Sequence, residues 1–97
     1  MIRREDDRLF VSGPVTLENV AALLEEGEGQ LKAGASAFDF SGVTELDSSL
    51  LAASLAWLRE ARRQNRDLSF LNLPPGLVTI ARLYGVAELL PTGAGPH

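Results

Sequence analysis

From Phe38 to Leu58 the chain reads FDFSGVTELDSSLLAASLAWL, a β-like run that passes through a polar loop into a long apolar helix. Phe38 and Phe40 alternate with Asp39, the period-2 pattern of a half-buried strand. Asp47-Ser48-Ser49 then opens a helix that is apolar around much of its circumference. Such a helix must be buried against something, and a strand feeding directly into it makes a sheet the economical partner. Strand–helix–strand units demand crossover connections, so the arrangement points to an α/β sheet with helices packed on it.

The flanking segments repeat the pattern. Leu9-Phe10-Val11 is a brief β-like run that the turn signal Ser12-Gly13-Pro14 is expected to close. Thr16 is the expected N-cap of a helix over Leu17–Lys32, with Glu18 in its first turn. Leu17, Val20, Leu24 and Leu31 recur there at helical spacing. Gly27 and Gly29 weaken its second half by about 1 kcal/mol each, and Gly34 ends it. The spacing predicts a strand over Ala37–Phe40, a loop over Ser41–Leu46, the central helix over Ser48–Asn65 and a strand over Leu68–Leu71. Pro74-Pro75-Gly76 opens a last helix with Leu77, Ile80, Ala81 and Tyr84 on one face and Gly85 at C′. Val86–Leu90 is expected to pack back on the core, and residues 92–97 to fray. The order is β-α-β-α-β-α.

On a helical wheel, Leu50, Leu51, Leu55, Leu58 and Ala61 gather on one side of the central helix with Ser54 among them, the expected core face. The opposite side carries Ser49, Ala52, Ala53 and Ala56, then Glu60, Arg63 and Gln64, with Trp57 flanking the small residues. Two readings of that flat patch stand side by side. Alanine is the best helix former and Trp57 could cover the core edge. Alternatively, small residues beside spare hydroxyls let a partner approach, with Trp57 as an anchor. Asp47, Ser48 and Ser49 divide the same way. One capping residue suffices for one helix, and a phosphate on a spare serine would sit favourably at the helix N-terminus while adding a charge of about −2.

Composition narrows the chemistry. At 97 residues, 45% hydrophobic and 23% charged, the chain supports a single core. Its net charge of −4 argues against nucleic acid as the main partner. Arg59, Arg62, Arg63 and Arg66 cluster near a helix end, where cations suit the dipole. There is no cysteine, which excludes disulfides and thiolate metal sites and fits a reducing cytoplasm. The N-terminus, MIRREDDR, lacks an apolar segment, so no secretory signal is expected. The longest apolar run, Leu50–Leu58, falls well short of the roughly 20 residues a bilayer requires, so direct membrane insertion is not expected. The one histidine is His97, the carboxylates are scattered, and neither a phosphate loop nor metal-ligand spacing is present. The expectation is a binding protein without catalysis, cofactor or metal.

The run Asp39-Phe40-Ser41-Gly42-Val43, then Leu46-Asp47-Ser48-Ser49 opening an apolar helix, resembles the STAS domain of sulfate transporters and anti-sigma factor antagonists. The likeness extends from about Leu9 to Pro91. It implies a STAS-like α/β fold, a small mixed sheet of about four strands packed with three to four helices, as one domain over residues 1–91. Thr79-Ile80-Ala81-Arg82-Leu83-Tyr84-Gly85-Val86, followed by Leu89-Leu90-Pro91, resembles the small cytoplasmic STAS subunit of the Mla phospholipid-transport ABC complex. That resemblance implies a non-catalytic accessory subunit, held at the inner membrane face by its complex, which binds the ABC ATPase subunit near Ser48. The resemblance to anti-sigma factor antagonists implies instead a switch in which a partner anti-sigma kinase phosphorylates Ser49. Leu50 stands where those switch proteins usually have glycine. Under either implication Asp47, Ser48, Ser49, Ala52, Ala53, Ala56 and Trp57 are the expected partner-binding residues.

Overall fold

The computed structural model describes residues 1–91, so the expectation of a frayed tail over 92–97 falls outside it. Strands β1 (Ile2–Glu5), β2 (Arg8–Val15), β3 (Ala37–Leu46) and β4 (Ser69–Leu71) form one four-stranded sheet in the order β1-β2-β3-β4. The β1–β2 pair is antiparallel, whereas β2–β3 and β3–β4 are parallel. Helices α1 (Val20–Lys32) and α2 (Ser48–Arg63) make the two crossovers, and α3 (Pro75–Leu83) follows β4. Each crossover steps one strand in the same direction, and right-handed crossovers of that kind place both helices on one face of the sheet. The expected small mixed sheet of about four strands packed with three to four helices is the fold observed, with four strands and three α-helices.

The core lies between that face and the helices. Leu9, Phe38 and Phe70 align in one row across β2, β3 and β4, and all are fully buried. Trp57 of α2 lies flat on Phe38, with ring centroids 4.1 Å apart and 13° between planes. The indole Nε1–H donates to the carbonyl of Leu24 in α1 at 3.1 Å. On its other side the ring meets Gly27, where an added Cβ would lie 2.4 Å from Nε1. The glycine that weakens α1 as a helix is therefore what lets α1 close on α2. Trp57 is fully buried, so its expected place at the edge of an exposed patch is corrected: the aromatic surface of β3 holds it inside.

Several boundaries move for physical reasons. Strand β1 is charged and was not legible as a strand. It is held by pairing with β2 and by Arg4, which donates to Gln30 Oε1 and to the Ala33 carbonyl at the end of α1. Ser12-Gly13-Pro14 does not end β2 but carries two register shifts against β3, with Gly13 at φ +83°. Pro14 is tolerated because β1 pairs only as far as Val11, leaving its missing N–H without a ladder to break. Ser41–Leu46 is thereby strand rather than loop. Helix α1 starts at Val20, not Leu17. Asn19 folds the entry segment, accepting from the Thr16 N–H at 2.9 Å and donating to the Pro14 carbonyl at 2.8 Å. Thr16 is thus not the cap.

The helix ends follow their sequence signals more closely. Arg66 donates to the carbonyls of Leu31, Gly34 and Ala35, so this cation closes the end of α1 rather than that of its own helix. Gly85, at φ +72°, ends α3 in a Schellman pattern: its N–H bonds to Arg82 and that of Val86 to Ala81. Leu77 and Ala81 are buried as expected, but Tyr84 is exposed. Leu90 is buried, and the Pro91 carbonyl accepts from the Phe70 N–H, covering part of the β4 edge.

The sheet face away from the helices carries Arg3, Phe10, Asp39 and Leu71 in register. Arg3 and Arg8 lie over the Phe10 ring at 4.8 and 5.7 Å, and Arg8 is 3.5 Å from the Asp39 carboxylate. Burial alone would raise the Asp39 pKa. The N–H and hydroxyl of Ser41, the amide of Asn72 and the charge of Arg8 outweigh it and hold the carboxyl below its usual range. On α2, Leu51 is buried whereas Leu55 is only half-buried, against the expectation that both belong fully to the core. Leu51→Ala is accordingly expected to cost about 2–5 kcal/mol in urea unfolding and Leu55→Ala less than half as much. Equal losses would contradict this packing.

Candidate functional site

The start of α2 is capped by Asp47, whose two carboxylate oxygens do different things. Oδ1 accepts from the Ser49 N–H at 2.9 Å and from the Ser49 hydroxyl at 2.5 Å. Oδ2 accepts from the Leu17 N–H at 3.1 Å. One side chain thus closes the helix N-terminus and ties the segment entering α1 to it. The Ser49 hydroxyl, then its N–H and that of Leu17, hold the Asp47 carboxyl below its usual range against a small opposing effect of desolvation.

Beside this cap runs a groove of about 570 Å³ between the two segments that Asp47 joins. Leu17, Val20 and Leu24 form one wall. Ser48, Ser49, Ala52, Ala53, Ala56 and Arg59 form the other, with Asp47 at one end. Apart from Arg59, α2 offers only small side chains there, which leaves the groove open, and the Trp57 ring that meets Gly27 is buried behind these walls.

Six of the seven residues expected at the partner surface, Asp47, Ser48, Ser49, Ala52, Ala53 and Ala56, line this one groove; Trp57 lies beneath it. Ala53 is only 2% exposed, so it forms floor rather than rim. The two serines differ. Ser48 is exposed, whereas Ser49 is 9% exposed with its hydroxyl committed to Asp47. Leu50, fully buried, anchors the helix immediately behind them. Glu60, expected on the outer side, is also buried and bonded to Gln64.

The wall formed by Leu17 and the start of α1 was missed because Leu17, Val20 and Leu24 read only as one helical stripe with Leu31. The signal lay in α1 having two apolar stripes. Leu23, Gly27 and Leu31 at i, i+4, i+8 are buried, and the second stripe borders the groove, with Leu17 78% exposed. Among the described residues no group of histidine, cysteine, aspartate and glutamate side chains could hold a metal ion, and no helix is long and apolar enough to cross a membrane.

A mixed sheet with helices on one face, and an apolar groove beside a capped helix N-terminus, define a small α/β domain of the kind the sequence resembles. The chain belongs to the STAS domain family: the family model described as "Mlab, STAS domain" matches residues 2–91. Among solved structures, the anti-sigma factor antagonist SpoIIAA in its unphosphorylated form is similar over 100% of this chain and 88% of its own, with TM-score 0.69 and 16% identity. The phosphorylated form of SpoIIAA, a Bacillus cell fate determinant, is similar over 97% and 90%, with TM-score 0.68 and 15% identity. A Thermotoga maritima protein assigned as an anti-sigma factor antagonist is similar over 95% and 83%, with TM-score 0.74 and 13% identity. At these identities the likeness shows the fold. None of the curated proteins compared matches this chain in sequence.

Because Asp39 and Asp47 both titrate below their ordinary value of about 4, the folded state holds fewer protons than the unfolded chain. Their stabilising effect is complete above that value and is lost as pH falls through the lowered ones. Asp47→Asn should therefore lower stability at neutral pH and reduce its acid-dependent loss below about pH 5, read as urea midpoints across a pH series. An unchanged acid profile would mean that Asp47 does not serve as the tie between the two segments.

Proposed function

We propose that this chain is a binding subunit without chemistry of its own, the cytoplasmic accessory component of a Mla-type phospholipid-transport ABC complex. It engages the ATPase subunit through the α1–α2 groove and reaches the membrane only through that complex. The observation that carries this reading is the outer surface of the first turns of α2. Ser48, Ala52 and Ala56 leave it low beside an exposed Leu17, a shape that accepts another protein's side chains. The description of the matching family model and the resemblance of Thr79–Pro91 to the Mla subunit point to the same partner. The burial of Leu50 and the engagement of Ser49 with Asp47 suit a rigid docking surface.

A second reading, an anti-sigma factor antagonist switched by a partner kinase, is supported by the whole-chain likeness to SpoIIAA in its unphosphorylated and phosphorylated forms. In that reading phosphorylation of Ser49 requires its hydroxyl to leave Asp47, whereas Ser48 is the accessible hydroxyl.

Ser48→Arg and Ala52→Arg place long cations on the rim of the groove. Each is expected to weaken binding to the purified ATPase subunit by about 100-fold or more while changing unfolding free energy by no more than about 0.5 kcal/mol. Ala53→Arg, by contrast, buries a cation beneath the groove and should unfold the domain. Undiminished binding by Ala52→Arg, in calorimetric titration, would remove the groove from the interface.

A further inference from the structure

Trp57 lies under the groove and touches both of its walls without being exposed to it. Its Nε1–H donates to the carbonyl of Leu24, whose side chain lines one wall. Ala53 and Ala56, one turn and one residue before it on α2, line the other. The ring cannot recede, because it lies 4.1 Å from Phe38, itself fully buried in the sheet. Nor can α1 approach further, because Gly27 already meets the indole edge: an added Cβ would fall 2.4, 2.6 and 2.9 Å from Nε1, Cε2 and Cζ2. Contacts this short are not relieved by a flexible side-chain tip, since the ring is held on one face by Phe38 and along its edge by Gly27 and the Leu24 carbonyl. Bulk gained at residue 27 must move α1 relative to α2, and bulk lost at residue 57 removes what holds them apart.

We infer that Trp57 and Gly27 are positioning residues that set the width of the groove, and hence which partner surface it accepts, without either one touching the partner. This rests on the groove being the docking surface, as proposed above. Selectivity then resides in the packing between α1 and α2 as much as in the residues facing the partner. The indole–glycine contact acts as a spacer, and the Leu24 bond fixes the height of the facing wall against it.

The test is a cycle of Gly27→Ala, Trp57→Phe and the double variant, each read in two ways. The chain has no cysteine. Spin labels on Glu25→Cys and Arg62→Cys, at exposed positions of α1 and α2, therefore report helix separation in the isolated protein. Calorimetric titration with the purified ATPase subunit reports binding. Gly27→Ala should lengthen the distance and weaken binding about tenfold, equivalent to about 1.4 kcal/mol. Trp57→Phe should keep the ring on Phe38, lose the bond to Leu24, and weaken binding comparably. The double variant should recover both distance and binding relative to either single change, because phenylalanine vacates the space the new methyl group needs.

A purely structural role for the contact predicts restored stability without restored affinity, and that result would overturn the inference. So would single variants whose distance and affinity match the unaltered protein. If Gly27→Ala does not fold alone, the double variant against Trp57→Phe decides: recovery supports the spacer, and no recovery contradicts it. Ala52→Arg separates the two ideas. Should it bind normally, the docking reading fails whatever the label distances show; should it not bind while the cycle leaves affinity unchanged, only the spacer fails.

Discussion

The stacking of Trp57 on Phe38 ties together three parts of the molecule that would otherwise meet only along soft apolar surfaces. Phe38 sits in the middle of the row that crosses the parallel strands, and the indole covers it nearly face to face. Such a stack adds about 0.5–1.5 kcal/mol beyond the area it buries. Its larger consequence is geometric. The same ring donates a hydrogen bond to α1 and fills the space that Gly27 leaves, so the sheet, α1 and α2 are referenced to one rigid plane. Among the described residues no buried side-chain nitrogen or oxygen lacks a partner, and the indole N–H is satisfied by this bond.

The groove follows from that arrangement. Helices α1 and α2 are held at the separation a tryptophan requires, but one turn earlier α2 presents alanines. The difference in side-chain size leaves the cleft that Ala52, Ala53 and Ala56 line. Asp47 closes its far end by accepting from both Ser49 and Leu17. The segments that form its walls are thus joined by two bonds, Asp47 to Leu17 and Trp57 to Leu24, the condition for presenting one preformed surface to a partner.

Much of this could be read from the chain before the structure, and the parts that could not share a cause. The alternation of strands and helices from β2 onward, the central helix from Ser48 with its Asp47 cap and the Schellman glycine Gly85 are local signals, and they hold. Of the residues nominated for one surface, Asp47, Ser48, Ser49, Ala52, Ala53 and Ala56 do line one groove, because helical periodicity brings them together, and Trp57 does not. What failed depended on distant partners. Strand β1 is charged because its side chains are held by the end of α1 and by the open sheet face rather than by a core. Ser41–Leu46 is strand only because β2 continues alongside it past a bulge. Trp57 could be read as covering the core edge or as a surface anchor, because a helical wheel gives no account of a glycine on the neighbouring helix that makes room for an indole. Leu17 reads as the first helical residue because its apolar spacing continues into α1, but it precedes the helix and lines the groove.

Affinity purification of the tagged chain from its native cells, with mass spectrometry of the co-purifying proteins and of the peptide spanning Ser48 and Ser49, tests the account most directly. The account predicts stoichiometric recovery of an ABC ATPase and its permease with both serines unmodified, and loss of both proteins from the Ala52→Arg variant. Recovery of an anti-sigma kinase with phosphate on either serine, and no transporter component, would contradict it.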